Sequence, residues 1–265
     1  MVRVVLAIVV ALAAVARADT PQLESPSVVV LDAAGGELLA KHADDARPIA
    51  SMTKIFAAMV VRAHKLDLEA FTEITDVDAR TAEGGASTAL VRNHAYRNVD
   101  LLHAMLLVSD NRVPTALARS VGLSPQELLE EMNVLARKLG LDHTAFDDVT
   151  GIAGNHSTAR EMAIAMQATL ADPVLARIMR TRYARIRSQD EAITIDYKST
   201  VKPLWSKLYK IRGGKTGTTD AAGHCLLIAL DVGDRTYTLA LLGGETANSR
   251  FLDFAKLAHW LDSVK

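Results

Sequence analysis

Ser27-Val28-Val29-Val30-Leu31-Asp32-Ala33-Ala34-Gly35-Gly36-Glu37-Leu38-Leu39-Ala40-Lys41-His42 reads as two short strands folded back on each other. The apolar runs Ser27 to Asp32 and Glu37 to His42 are joined by a small, glycine-containing turn, which predicts a hairpin. Strand patterns return only near the other end of the chain, at Ala192 to Tyr197, Gly223 to Val232 and Arg235 to Gly243. A Gly233-Asp234 turn makes the last two a second hairpin. Between the two ends the pattern is helical. Met52, Ile55, Phe56, Met59, Val60 and Ala63 mark a buried stripe from about Ser51 onward. Asp100 to Val108 and Val113 to Ser120 follow, and Ser124-Pro125-Gln126-Glu127 carries the capping residues of a longer helix that Gly140 ends. Thr158 to Glu161 repeats the capping spacing, and Asn248 to Val264 closes the chain as an amphipathic helix expected to pack on the sheet. Strands from both chain ends around a helical middle predict an α/β layered fold with an inserted, mainly helical region at about 66–175.

Met1 to Ala18 is set apart from this pattern. Arg3, the apolar run Val4 to Val15 and the small-x-small triplet Ala16-Arg17-Ala18 have the layout of a secretory leader cleaved before Asp19. The chain of 265 residues carries a net charge of -1, so no nucleic-acid partner is expected. No second long apolar segment follows the leader, and the expectation is an exported protein, periplasmic or extracytoplasmic, without a stable membrane anchor. Residues 19–265 are expected to form one catalytic domain. The single cysteine, Cys225, lies in an apolar strand pattern and is expected to be a buried small side chain.

Three short motifs carry chemistry. Ser51-Met52-Thr53-Lys54 places a hydroxyl and an amine on one helical face. A serine hydroxyl needs an adjacent base, and a lysine serves when its pKa is lowered. Alone, this spacing is expected by chance roughly once in such a chain. Ser109-Asp110-Asn111 can present a second hydroxyl and a carboxamide from a loop between helices. Lys215-Thr216-Gly217-Thr218 sits in a glycine-rich stretch suited to close approach of a ligand. A phosphate-loop reading of Gly214-Lys215-Thr216 fails because Tyr209 stands where that motif needs glycine. The eight histidines are scattered, with no metal-binding spacing, and neither metal nor cofactor is expected.

In their order and spacing the three motifs resemble those of the penicillin-interacting serine enzymes. Pro48 to Lys54, Lys215 to Gly217 with Thr219, Ala222-Gly223 and Cys225-Leu226, and the stretch from Leu139 through Thr144, Phe146, Gly151 and Ser157 to Ala163 resemble the D-alanyl-D-alanine carboxypeptidases in particular. The resemblance implies a β-lactamase/transpeptidase-like fold, an antiparallel sheet flanked by helices. It implies peptidoglycan peptides as substrates and β-lactams as inhibitors. On that basis Ser51 is the nucleophile, Lys54 its proton acceptor, and Ser109 a relay to the leaving nitrogen. Asn111, Lys215, Thr216 and Thr218 would bind substrate. Two rival readings remain at this stage. Ser-Asp-Asn also typifies class A β-lactamases, although the stretch Leu141 to Gly154 holds Asp147 and Asp148 and no glutamate for deacylation. A catalytically silent β-lactam- or wall-binding module is the other. With 50 residues after Lys215, the chain resembles the shorter members of the family, endopeptidases included. Lys198-Ser199-Thr200 departs from the asparagines common in relatives, which touches loop packing near the cleft. Carboxypeptidase and endopeptidase action, and oligomeric state, stay open.

Overall fold

The computed structural model describes residues 20–86, 88–152 and 154–264; the leader expected at Met1 to Ala18 lies outside them. The two ends of the chain do build one sheet. Strands β1 (Ser27–Asp32) and β2 (Glu37–Lys41) form the first hairpin. Much later come β9 (Lys210–Thr219), β10 (Gly223–Val232) and β11 (Arg235–Gly244). The order across the sheet is β2-β1-β11-β10-β9, every neighbouring pair antiparallel. Helix α8 (Ser249–Ser263) covers one face. Between the hairpins run β3 (Arg47–Pro48), a short 3-10 turn (Ala50–Thr53), α1 (Lys54–Ala63), β4 (Phe71–Glu73), α2 (Asp76–Thr81) and β5 (Ala95–Arg97). They are followed by α3 (Asn98–Val108), α4 (Val113–Ser120), α5 (Pro125–Lys138), β6 (His156–Ser157), α6 (Ala159–Ala171) and α7 (Pro173–Met179). The pair β7 (Tyr183–Arg187) and β8 (Thr194–Lys198) then leads back to the sheet.

Both sheet faces are buried, which explains the unbroken apolar runs in β1 and β10. Val28 and Val30 of β1 join Leu226, Ile228 and Leu230 of β10 in a layer closed by Phe254, Leu257 and Leu261 of α8. Val29 and Leu31 point the other way, into the larger core around α1 and α6. Helix α8 thus packs on the sheet as its pattern predicts. Helix α1 is buried on more than the single stripe read from its periodicity: Ile55, Phe56, Ala57, Ala58, Val60 and Val61 are all inaccessible. It runs through the centre of the molecule, against α5 and α6 as well as α3 and α4. Cys225 is fully buried, as expected.

Six strands lack a strand pattern in the sequence: the short β3, β4, β5 and β6, and the longer β7 and β9. Strand β9 contains three glycines with lysines and threonines, a composition of low strand propensity. It becomes a strand because Lys210 to Thr219 pair with β10 along its length. Strand β7 is masked by its arginines, with only Ile186 buried. The capping spacing at Thr158 is half used. Thr158 Oγ1 accepts from Glu161 N at 3.1 Å, while the Glu161 carboxylate turns to His143 N and Thr144 Oγ1 at 2.8 and 2.6 Å.

The helical body is tied together at one buried carboxylate. Asp78 accepts from Thr75 N at 2.8 Å, Thr115 Oγ1 at 2.6 Å and both Arg119 terminal nitrogens at 3.0 and 3.1 Å, clamping α2 to α4. Replacing it strands several buried donors. Asp78→Ala is expected to lose roughly 2–4 kcal/mol in urea unfolding, with the ionic share reduced because Arg119 is partly exposed.

Candidate active site

Ser51-Met52-Thr53-Lys54 sits where the 3-10 turn runs into α1. Its register places the fourth residue, Lys54, in the first turn of the helix, so its amine folds back over the first residue. Lys54 Nζ lies 2.9 Å from Ser51 Oγ and donates to Thr150 O at 2.5 Å. Lys54 has no solvent exposure. Desolvation lowers its pKa to about 7, against the smaller opposing pull of Asp148 and Asp110. An amine that is substantially neutral near pH 7 has a free lone pair, which the ordinary surface lysine lacks.

Ser109 ends α3 with a left-handed backbone, φ 65°, a conformation that non-glycine residues adopt at some cost. Asp110 holds that turn. Its N–H donates to Ala104 O at 3.1 Å, and its buried carboxyl accepts from Thr88 Oγ1 and from Arg112 N at 3.1 Å. Burial pushes the Asp110 carboxyl pKa up. The middle residue of the tripeptide is therefore an anchor for the loop, and its being aspartate carries no signal of β-lactamase chemistry. The turn aims Ser109 Oγ at Lys215, whose ammonium donates to it and also to Thr216 O at 2.8 Å. Lys215 is likewise fully buried. Desolvation, then the charges of Lys54 and Arg250, push its pKa well down.

Strand β9 brings its motif against Ser51 by close backbone approach. A Cβ on Gly217 would meet Ile49 O at 2.9 Å and Ser51 N at 3.3 Å, so only glycine lets the strand lie this near the 3-10 turn. Gly151, at φ +87°, packs as tightly on the other side, where a Cβ would lie 2.1 Å from Ala50 O. Asp148 shapes that loop, accepting from Thr150 N at 2.7 Å, Ile152 N at 2.9 Å and Gly151 N. With its oxygens engaged by backbone and by Asn155 Nδ2, it is poorly placed to activate a deacylating water.

A cavity of about 570 Å³ opens over Ser51, lined also by Asn111, Gly151, Ile152, Thr218 and the Gly84–Ala86 segment. Asn111 is almost fully buried, and its Oδ1 has no hydrogen-bond partner, an acceptor left for a ligand. Thr218 is exposed at the cleft. Thr216 Oγ1 lies 2.6 Å from Thr200 Oγ1, which donates to Leu107 O at 3.1 Å. The departure at Lys198-Ser199-Thr200 thus supplies a hydroxyl where relatives often carry asparagine, and it orients Thr216. All seven residues named from the sequence belong to this one neighbourhood.

One residue escaped the sequence reading. Arg250, in the first turn of α8, is 8% exposed and donates to Gly217 O, Cys225 O and Thr218 Oγ1 at 2.9, 3.0 and 3.1 Å. It adds a third buried cation beside Lys54 and Lys215. No local motif surrounds it; its only sequence signal is an arginine in the first turn of a helix, where the helix dipole favours acids.

Comparisons with known proteins agree with this geometry. The D-alanyl-D-alanine carboxypeptidase family matches residues 14–246. The D-alanyl-D-alanine endopeptidase of Escherichia coli K12 is 27% identical over 255 residues, covering 96% of this chain and 82% of that protein. The D-alanyl-D-alanine carboxypeptidase DacC of the same organism is 32% identical over 262 residues, covering 94% of this chain and 64% of DacC. The crystal structure of the Streptomyces K15 DD-transpeptidase superposes with a TM-score of 0.85 at 25% identity, over 91% of this chain and 98% of that one. With its fold, its motifs and nearly its whole length in common with these proteins, the chain belongs to the D-alanyl-D-alanine carboxypeptidase family of serine hydrolases.

Proposed function

We propose that this enzyme cleaves the peptide bond after a D-alanine in peptidoglycan stem peptides, with Ser51 as nucleophile and Lys54 as its base. The observation that carries the assignment is the 2.9 Å approach of the buried Lys54 amine to Ser51 Oγ, in the same pocket as the Lys215–Ser109 contact. Neutral Lys54 donates to Thr150 O and turns its lone pair to the Ser51 hydroxyl. Attack on the D-alanyl carbonyl moves the Ser51 proton to Lys54. The backbone N–H groups of Ser51 and Thr218 take the oxyanion, each such donor being worth about 3–4 kcal/mol. Collapse breaks the C–N bond, and the proton passes through Ser109 to the leaving nitrogen. Lys215 keeps the Ser109 hydroxyl oriented, and the Arg250 guanidinium keeps the site positive. Asn111 receives the substrate backbone. Thr216, Thr218 and Arg250 hold a terminal carboxylate. Water then attacks the ester, giving one proton to Lys54 and returning it to Ser51.

A β-lactam enters by the same attack, but its leaving nitrogen stays tethered and obstructs water. Asp148 is occupied by its own loop and poorly placed to speed deacylation, which favours a peptidase over a β-lactamase. Export across the inner membrane, directed by Met1 to Ala18, would deliver the enzyme to its polymer. Relatives named for endopeptidase and for carboxypeptidase action both align with the chain.

Fluorescent penicillin should label the wild-type chain and persist for many minutes, and Ser51→Ala should remain dark; fast release would restore the β-lactamase reading. The acylation rate should rise with pH around an apparent value of about 7, because only the neutral amine accepts the proton; the midpoint belongs to the lysine pair. A flat profile from acid to alkaline pH would exclude Lys54 as base. Gly217→Ala should fold yet acylate about a hundredfold more slowly, since it pushes Ser51 N out of position. Mass spectrometry of digested muropeptides separates the two activities: free D-alanine from pentapeptide monomers marks a carboxypeptidase, and dimers falling to monomers mark an endopeptidase.

A further inference from the structure

Positive charge is segregated along this chain. Residues 177–212 hold ten lysines and arginines, five of the arginines falling between 177 and 187, against only Asp190, Glu191 and Asp196. The whole sequence is nevertheless slightly acidic. This segment runs from the end of α7 through the β7–β8 pair to the start of β9, the outer strand of the sheet. The two ends of the segment border a cavity of about 530 Å³ between α6, α7 and the sheet, apart from the cleft over Ser51. Arg177, Arg180 and Arg212 all line it, with Thr236, Thr238 and Gln167. Among the described residues no carboxylate pairs with Arg177 or Arg180. Arg212 meets Asp231 at 3.2 Å, a carboxylate it shares with Lys210.

Three exposed guanidinium groups border one hollow, two of them with no carboxylate partner among the described residues, and together they give it a positive potential that attracts an anion. Guanidinium groups bind carboxylates through paired N–H donors. The volume exceeds what a single small ion needs and suits a short peptide end. Gln167 Nε2 is already committed to Asp32 O at 2.7 Å, which leaves its amide oxygen to accept from a peptide N–H. None of the large exposed apolar side chains, such as Trp205, Leu208 or Leu252, lines this cavity, which argues against insertion into a lipid surface.

We propose that this cavity is an exosite for the carboxylate-bearing end of a second stem peptide on the same wall polymer. The inference rests on the peptidoglycan reading of the cleft. Arg212 lies three residues before Lys215 on β9, about 10 Å along the strand. One edge strand thereby addresses both sites, and the exosite would hold the enzyme on the polymer while the cleft works on a neighbouring stem.

The test compares the wild type with Arg177→Gln/Arg180→Gln, which leaves the Arg212–Asp231 pair intact, and with the triple variant that adds Arg212→Gln. Co-sedimentation with isolated sacculi at low salt should fall about fivefold or more in both variants, and added salt should release the wild type alike. Fluorescent-penicillin labelling and hydrolysis of a soluble pentapeptide should stay unchanged, which also shows that the variants fold. Variants that sediment like the wild type would overturn the exosite. So would a wild type that binds phosphatidylglycerol vesicles but not sacculi. A wild type that binds sacculi through these arginines yet takes no penicillin would instead overturn the reading of the cleft.

Discussion

Two lysine amines enclosed in one dry pocket are the constraint on which the rest of this structure turns. Lys54 and Lys215 have no contact with solvent, and a third cation, Arg250, stands beside them. Charging every group there would require large compensation that the pocket does not contain. The protein resolves the conflict by letting Lys54 lose its proton near neutrality, which is the state a serine nucleophile needs from its base. Burial, elsewhere a matter of stability, here sets the reactivity.

Such a pocket exists only because backbone is forced into unusual shapes around it. Ala50 and Ser109 both adopt positive φ, at 49° and 65°, immediately before Ser51 and at the second hydroxyl. Gly151 and Gly217 let loop and strand approach the 3-10 turn more closely than any side chain permits. Strain of this kind costs of order 1–3 kcal/mol at each site. It is offset by the fully buried core of α1, by the hydrogen bonds that Asp110 and Asp148 spend on their own loops, and by Asn155 Nδ2, which ties its loop to Thr53 Oγ1. Asp110 and Asp148 are consequently structural, spent on shaping the loops that carry Ser109 and Gly151.

Charge is distributed on a second scale. The cleft concentrates the buried cations Lys54, Lys215 and Arg250, while the flank beside β9 gathers arginines on the surface. Strand β9 belongs to both. Its outer position keeps one edge free, its glycines allow contact with the nucleophile, and its basic start adjoins the arginine-lined cavity.

Much of this was legible in the chain before folding. The hairpins at either end, the helix carrying Ser51 and the capping residues at Ser124 are local features, set by turn chemistry and by apolar periodicity within a few residues. The three motifs named seven residues that fall into one neighbourhood, because side-chain chemistry and short spacing are written directly in sequence. What stayed hidden depends on contacts between distant segments. Strand β9 has weak intrinsic preference and acquires its shape from pairing with β10. Arg250 carries no motif and becomes part of the site only when α8 folds across the sheet. The amine of Lys54 is an ordinary lysine in the sequence. Its lowered pKa arises from desolvation by helices and loops up to 96 residues away, and desolvation is a property of the packed whole and not of any local stretch.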